Sequence, residues 1–191
     1  MTNRELQKYG NAHLPSGEGV CDITVISTGG TIEKTYDEFD GSLQNRESEI
    51  KHRLLTRLRM PYTRLHLFAV MAKDSLFMTD YDRVLIAKTL EAQQDKNWPI
   101  VVLHGTDTMA KTANTVLKEF TEKKIVLKTP IVFTGAMKPM GFEDSDADQN
   151  ITEALLAAKF LSPGVYISFH NRIFELPNVR KNKETRTFES F

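Results

Sequence analysis

The sequence predicts an α/β domain in which an open parallel β-sheet is covered by helices on both faces, giving three layers. Short apolar runs rich in β-branched residues, typical of buried parallel strands, alternate along the chain with longer segments of helical periodicity. The length of 191 residues suits one such domain, and the shares of hydrophobic (40%) and charged (26%) residues are ordinary for a globular protein.

Five segments have the pattern of buried strands and end at polar residues or glycine: 23–27, 65–70, 100–103, 131–134 and 165–169. Four segments carry apolar residues three and four positions apart, as on one face of a helix: 47–59, 80–94, 108–122 and 151–161. The residues after 169 are predicted to form a basic, polar tail. Strands that alternate with helices in this way are predicted to lie parallel in the sheet.

Charge and cysteine content narrow the class of protein. The 25 basic and 25 acidic residues cancel, so we expect neither nucleic acid nor a membrane as a partner. Cys21 is the one cysteine of the sequence, which rules out a disulfide within the chain and fits a reducing compartment. No apolar run reaches the length of a membrane span, and the first twenty residues lack the apolar stretch of a secretory signal. We therefore expect a cytoplasmic protein with an N-terminal extension at 1–20 and the α/β domain at 21–191.

Glycines and hydroxyls follow the first predicted strand, as Thr28-Gly29-Gly30-Thr31. Ligands of open parallel sheets bind beyond the carboxyl ends of the strands. Two glycines allow a sharp turn and leave backbone N–H groups uncovered, which can hold an anion or a developing oxyanion. A tight turn stabilised by local hydroxyl bonds explains the same residues and, on spacing alone, is the simpler interpretation. The Gly-Lys-Ser/Thr ending of a phosphate-binding P-loop is missing.

The third predicted strand is followed by His104-Gly105-Thr106-Asp107-Thr108. Thr106 or Asp107 could cap the next helix, but four polar residues at one strand end exceed what a cap needs. A hydroxyl beside a carboxylate also suits nucleophile activation when a base or cation is near, and the two interpretations are compatible. His104 is predicted to be a structural donor. Lys181 lies in a polar run, and only tertiary proximity to a threonine could make it a base.

Neither the histidines nor the aspartates of the sequence have the spacing of a metal site. The five histidines lack metal-ligand spacing. The run Asp144, Asp146 and Asp148 lacks the glycine and distal glutamate of a calcium loop, so it is predicted to solvate or cap the helix that follows. We therefore expect neither a metal nor a cofactor.

Together the two strand-end motifs resemble the bacterial-type L-asparaginases. The resemblance is carried by 28–32 and 104–108, with weaker support from 135–139, Asp146, Asn150 and 179–182, and it extends from about Asp22 to the C-terminus. In that family a large flavodoxin-like α/β domain precedes a smaller C-terminal domain. This chain covers the first domain, so it is similar to short-chain asparaginases that lack the second, or it is a fragment of a longer protein.

The resemblance implies a role for each catalytic candidate. Thr31 would be the nucleophile that forms a β-acyl-enzyme, and Tyr36 would help to take its proton. Thr106 would position the water or act in the second half-reaction, although the family's two threonines have been assigned both ways. Lys181, paired to Asp107, would be the second base.

The implied substrate-binding set is Gly30, Ser75, Leu76, Gly105, Thr106 and Asp107. Ser75 and Asp107 would hold the α-carboxylate and α-amino group. Leu76 stands where the family usually has a polar residue, and the acidic ligand that the second domain supplies to the amino group is missing from the sequence. Weak binding of the amino group is therefore expected.

The implied function is hydrolysis of the side-chain amide of L-asparagine to aspartate and ammonia, with asparagine as the small-molecule partner. An amidase for another small amide, such as glutamine, and a catalytically silent ligand-binding module of the same fold remain as alternatives. Because family members are oligomers, a homo-oligomer, a dimer or higher, is also expected.

Overall fold

The computed structural model describes residues 19–37, 39, 42–45 and 58–191. In this part of the chain the main sheet has the strand order β4-β1-β5-β6-β7-β8. Its strands are β1 (Cys21–Ser27), β4 (Thr63–Ala69), β5 (Ile100–Leu103), β6 (Ile131–Thr134), β7 (Val165–Phe169) and β8 (Arg172–Glu175). The first five in spatial order are parallel, which confirms the predicted fold class.

Two antiparallel hairpins accompany the sheet. Strands β2 (Lys34–Asp37) and β3 (Ser42–Asn45) form one hairpin, and β9 (Val179–Asn182) and β10 (Thr187–Ser190) form the other. The helices of the described residues are α1 (Asp80–Gln93), α2 (Met109–Glu122) and α3 (Ala147–Phe160). None of these helices is long and apolar enough to cross a membrane.

The alternation of side chains along the central strands divides the core between the two faces of the sheet. Val102 of β5 lies in the core beneath α1 and α2, whereas its neighbour Val101 lies in the core beneath α3. Every residue of β5, β6 and β7 is buried, as expected for strands covered on both faces. The three-layer prediction follows from these uninterrupted apolar runs.

Polar capping residues fix where the helices begin, and the spacing of apolar residues in the sequence does not reveal them. Helix α1 begins at a capping box in which the Thr79 hydroxyl accepts from the Asp82 amide and the Asp82 carboxylate accepts from the Thr79 amide. Helix α3 begins at Ala147, four residues before the predicted start, and the Ala147 amide donates to the Ser145 hydroxyl at 3.1 Å. Asp146 occupies the N-cap position of α3 but makes no capping bond with its side chain. Of the two roles predicted for the aspartates at 144, 146 and 148, solvating or capping this helix, capping does not hold for Asp146.

The prediction of a polar tail after residue 169 is also wrong. His170 and Asn171, with φ angles of 46° and 61°, turn the chain back so that β8 pairs antiparallel with β7 at the sheet edge. Only Phe174 of β8 is buried, so the strand lacks the long apolar run that identified the others. Beyond it, Phe188 of β10 is 2% exposed and packs into the core.

Two sequence predictions concern segments that are mostly outside the described residues. Of the predicted helix at 47–59, only Leu58 and Arg59 are described, and neither is helical. Of the predicted extension at 1–20, only Gly19 and Val20 are described. Both are exposed and lack regular secondary structure.

Candidate active site

The side chain of Lys181, on β9, contacts the turn between β5 and α2. Its Nζ lies 2.7 Å from the Thr106 hydroxyl oxygen and 2.8 Å from a carboxylate oxygen of Asp107. The Lys181 side chain is only 13% exposed and Thr106 is buried, whereas the Asp107 side chain is 43% exposed. A cation, a hydroxyl and a carboxylate thus meet at the carboxyl edge of the sheet, half shielded from water.

The β9–β10 hairpin places Lys181 at this edge by packing through apolar residues. Phe188 lies opposite Lys181 in the hairpin and meets the Phe169 ring edge-on, with centroids 5.1 Å apart. Val179, two residues before Lys181 and on the same face of the strand, is also buried. Arg180 alternates to the other face, where its Nε bonds Glu189 at 2.8 Å. Lys181 therefore lies on the buried face of the hairpin, and its side chain points toward the site.

The turn after β1 lies against the turn after β5. Gly29 and Gly30 have φ angles of 95° and 94°, a conformation that other residues rarely adopt. A Cβ atom on Gly30 would collide with the backbone of Gly105. This close approach brings the neighbouring Thr31, which is half-buried, to the same edge as Thr106. Within the described residues the Thr31 hydroxyl has no hydrogen-bond partner.

Tyr36 is not joined to Thr31 by the described contacts. Its side chain, on β2 opposite Leu43, is 61% exposed, and its hydroxyl bonds no other described residue. The base of this hairpin is nevertheless fixed, because Lys34 Nζ bonds a carboxylate oxygen of Asp74 at 2.7 Å. That bond holds the pKa of Asp74 below its ordinary value. The proposed action of Tyr36 on Thr31 stays a prediction.

Ser75 lies beside Gly105, because a Cβ added to Gly105 would collide with the Ser75 hydroxyl. Ser75 is 1% exposed, and its hydroxyl lacks a partner in the described structure, which leaves a buried donor facing the site. Thr108 fixes the Ser75 backbone by donating to its carbonyl at 2.8 Å. Leu76, the next residue, is 64% exposed and apolar. The structure thus places Ser75 at the site and Leu76 at the surface next to it.

His104 shapes the turn that carries Thr106. Its ring is buried, and burial lowers its pKa to about 4, so the imidazole is neutral at pH 7. Its Nδ1 lies 2.8 Å from the Gly105 carbonyl oxygen and donates to it. The structural role predicted for His104 agrees with this geometry.

The sequence alone does not place Met137 at the site, but the structure does. The Thr106 hydroxyl donates to the Met137 sulfur over 3.7 Å, so the turn after β6 is a third wall of the site. The resemblance marked 135–139, Asp146 and Asn150 without assigning them a role, and His170 carried no signal. Methionine is usually core filling, so only the fold reveals this contact. No group of three or more His, Cys, Asp or Glu side chains in the described chain could hold a metal ion.

Comparison with known proteins identifies the family. A family model described as "Asparaginase, N-terminal" matches residues 22–191. The chain is 34% identical over 170 residues to L-asparaginase 1 of Escherichia coli (strain K12), an alignment covering 86% of this chain and 47% of that protein. The solved thermostable L-asparaginase from Thermococcus kodakarensis superposes with a TM-score of 0.74 at 26% identity, covering 88% of this chain and 51% of that one. The chain therefore belongs to the asparaginase family and corresponds to its N-terminal domain.

The chain spans about half the length of these two relatives. The chain is also similar to a protein with a different name. The "60 kDa lysophospholipase" of Mus musculus is 38% identical over 119 residues, which cover 62% of this chain and 20% of that protein. Similarity to known proteins therefore does not by itself determine the substrate.

Proposed function

We propose that the chain is an amidohydrolase that cleaves the side-chain amide of L-asparagine to aspartate and ammonia through an acyl-enzyme on Thr31. The observation that carries this proposal is the contact of Lys181 with both Thr106 and Asp107, at 2.7 and 2.8 Å, in a turn that packs against Gly30. A nucleophilic hydroxyl, a second hydroxyl and a charged relay at one edge of the sheet are what acyl transfer requires.

In the first half-reaction, the Thr31 oxygen attacks the amide carbon. Its proton passes to the amide nitrogen, the C–N bond breaks, and ammonia leaves the acyl-threonine ester. In the described residues, the N–H groups of Gly30 and Thr31 donate to no backbone carbonyl, so both can face the oxygen that becomes negative. Removing one such donor typically raises the barrier by about 3–4 kcal/mol.

In the second half-reaction, water attacks the ester carbon, one water proton leaves, and the Thr31 oxygen recovers a proton as the ester bond breaks. The contact between Lys181 and Thr106 suits this exchange in either protonation state. A neutral amine accepts the Thr106 proton, and an ammonium donates to the Thr106 oxygen. Asp107 balances the positive charge. The relay can thus take a proton from water and return one to Thr31.

The charged groups of asparagine have unequal partners. Its carboxylate can accept from the Ser75 hydroxyl and from the amides of the Gly105–Thr106 turn. Its ammonium can pair with Asp107, whose carboxylate is partly exposed, but Leu76 offers it nothing. A second candidate substrate, a small amide with a blocked or missing α-amino group, is favoured by this apolar residue.

The test is ammonia release from asparagine, glutamine and succinamic acid, the last of which lacks only the α-amino group of asparagine. We expect release from asparagine, its loss in Thr31→Ala, and its retention in Thr115→Ala, a control that removes an exposed hydroxyl on α2. Hydroxylamine added during turnover should capture the acyl group as a hydroxamate. Turnover of glutamine alone would support the other amidase, and no release from any amide would support a silent binding module.

We further propose that the chain works in the cytoplasm as a homo-oligomer. Support comes from apolar side chains left exposed on the face formed by α3 and β8: Leu156 at 57%, Phe160 at 42% and Ile173 at 50%. Light scattering across a wide concentration range should show a species larger than the 21.8 kDa chain, and a constant monomer would contradict self-association.

A further inference from the structure

Asp146 is the centre of a half-buried hydrogen-bond network that the proposed reaction does not use. Its carboxylate accepts from the Met137 amide at 2.9 and 3.0 Å, from the Lys138 amide at 3.1 Å and from the Asn150 side chain at 2.8 Å. The His170 Nε2 lies 3.0 Å from the same carboxylate. Burial alone would raise the pKa of Asp146, but these donors together hold it below the ordinary value, so the carboxylate is charged.

Asn150 completes the network from within α3. Its side chain is fully buried, donates to the Gly135 carbonyl at 3.0 Å and accepts from the His170 amide at 3.1 Å. The turn after β6 is therefore held at Gly135 and Met137, while the turn between β7 and β8 is held at His170. Both turns are fixed to the start of one helix.

This network reaches the candidate active site through Met137. The Met137 amide donates to both Asp146 oxygens, and the Met137 sulfur accepts a hydrogen bond from the Thr106 hydroxyl, with 3.7 Å between sulfur and oxygen. The Thr106 hydroxyl has one proton, so directing it to sulfur leaves a lone pair of the same oxygen for the Lys181 amine, 2.7 Å away. Sulfur is a weak acceptor, so this orientation can be released when Thr106 must give its proton to Lys181.

We propose that Asp146 and His170 are positioning residues that set the direction of the Thr106 hydroxyl by fixing Met137. The inference rests on the proposed function, because the hydroxyl direction matters for catalysis only if Thr106 and Lys181 exchange a proton. Neither residue touches the substrate in this scheme. Their effect should therefore fall on kcat, with little change in KM.

Asp146→Asn tests the proposal, since asparagine keeps the shape of the side chain but replaces one acceptor oxygen with a donor. That donor opposes the Met137 or Lys138 amide, so the turn must shift. A shift of about 1 Å in a residue that positions a catalytic group lowers rates on the order of 10- to 100-fold. We therefore expect kcat to fall by this factor while KM stays nearly unchanged. The matched control is Glu153→Gln. Glu153 accepts the Asn171 amide at 2.8 Å in the same β7–β8 turn without contacting Asp146, and full activity is expected.

Two further variants separate positioning from a purely structural role. Met137→Leu removes the sulfur acceptor, so adding Asp146→Asn to it should lower kcat much less than Asp146→Asn does alone. His170→Gln keeps a donor for the carboxylate and should preserve kcat, whereas His170→Phe should lower it. His170→Phe leaves the backbone bonds to Asp146 in place and serves if Asp146→Asn does not fold.

A substrate-free measurement tests the positioning of Met137 separately from the proposed reaction. With methionine methyl groups labelled for NMR and Met137→Leu used for assignment, Asp146→Asn should move the Met137 resonance toward its position in Thr106→Val. Glu153→Gln should leave it in place. An unmoved Met137 signal, or a kcat loss that simply adds to that of Met137→Leu, would overturn the proposal. If the wild-type chain hydrolyses no amide, the proposed function fails and the methyl shifts alone decide positioning.

Discussion

Replacing Lys181 by Met should abolish amide hydrolysis while leaving the fold nearly as stable as before. The substitution keeps most of the aliphatic stem, so no cavity opens beneath the β9–β10 hairpin. It removes the amine that contacts Thr106 at 2.7 Å and Asp107 at 2.8 Å. The proposed reaction depends on this amine in the step that activates water.

The two lost contacts set the stability cost. The Asp107 side chain is 43% exposed, so water can replace its ion pair, which at such sites contributes at most about 1 kcal/mol. The Thr106 hydroxyl keeps its bond to the Met137 sulfur, and losing the second bond costs about 1 kcal/mol. A total of roughly 1–2 kcal/mol lowers the melting temperature of a domain this size by about 2–8 °C.

The expected loss of activity is much larger than this cost can explain. Removing a general base typically lowers kcat by about 10²–10⁴-fold, while the variant stays folded at 25 °C. Ammonia release and calorimetry on the same samples separate the two effects. Lys183→Met is the matched control, because Lys183 is an exposed lysine of the same hairpin. If Lys181→Met retains kcat within about tenfold of the wild type, the proposed proton exchange between Lys181 and Thr106 is wrong. Lys181 would then only hold the β9–β10 hairpin to the turn between β5 and α2.

Four further predictions follow from individual side chains. Burial lowers the pKa of His104 from 6.5 to about 4, so as the pH falls the unfolded chain protonates its imidazole before the folded chain does. The free energy of unfolding should therefore fall by up to about 3 kcal/mol between pH 6.5 and pH 4. Denaturant titrations of His104→Asn should not show this fall. The bond from Lys73 lowers the pKa of Asp82 to about 2, so its stabilisation should persist above pH 3.8 and disappear toward pH 2; losing the cap in Asp82→Ala should cost about 1–2 kcal/mol in calorimetry at pH 7. Leu76→Gln should lower KM for asparagine about tenfold and leave succinamic acid unchanged in steady-state kinetics, and equal effects on both would refute our interpretation of this residue. Thr31→Ala should remove hydrolysis with an unchanged melting curve, since Thr31 is half-buried on a turn; near-native turnover would exclude it as nucleophile.

The central layer of the fold was predictable because burial on both faces leaves a continuous apolar signal. β5 is Ile-Val-Val-Leu, and each of its residues is buried. β8 gave no such signal: three of its four residues are exposed, and its pairing depends on the left-handed turn at His170 and Asn171. Periodicity likewise placed the start of α3 at Ile151, because the first turn from Ala147 is mostly polar in sequence.

The candidate site divides in the same way. Turns that follow buried strands could be predicted from sequence, since parallel strands deliver their carboxyl ends to one edge. The position of Lys181 required the packing of Phe188 against Phe169, a contact between segments without a shared local pattern. Met137 and His170 were harder to predict, because their contacts are hydrogen bonds among three separate elements.

The parts that shape the site differ physically from the proposed nucleophile, Thr31, and from Asp107. The shaping parts are buried or sterically closed: Gly30 lies against Gly105, and the His104 ring donates to the Gly105 carbonyl from a fully buried position. Thr31 and Asp107 are at least partly exposed, and the described structure gives Thr31 no hydroxyl partner. A nucleophile that was fully buried and bonded would have to break those contacts before each attack, whereas Thr106, which is buried, and Lys181 act through the contact that they already make. Rigid turns beneath partly open side chains avoid that barrier, because the geometry is fixed by backbone contacts that the reaction leaves intact.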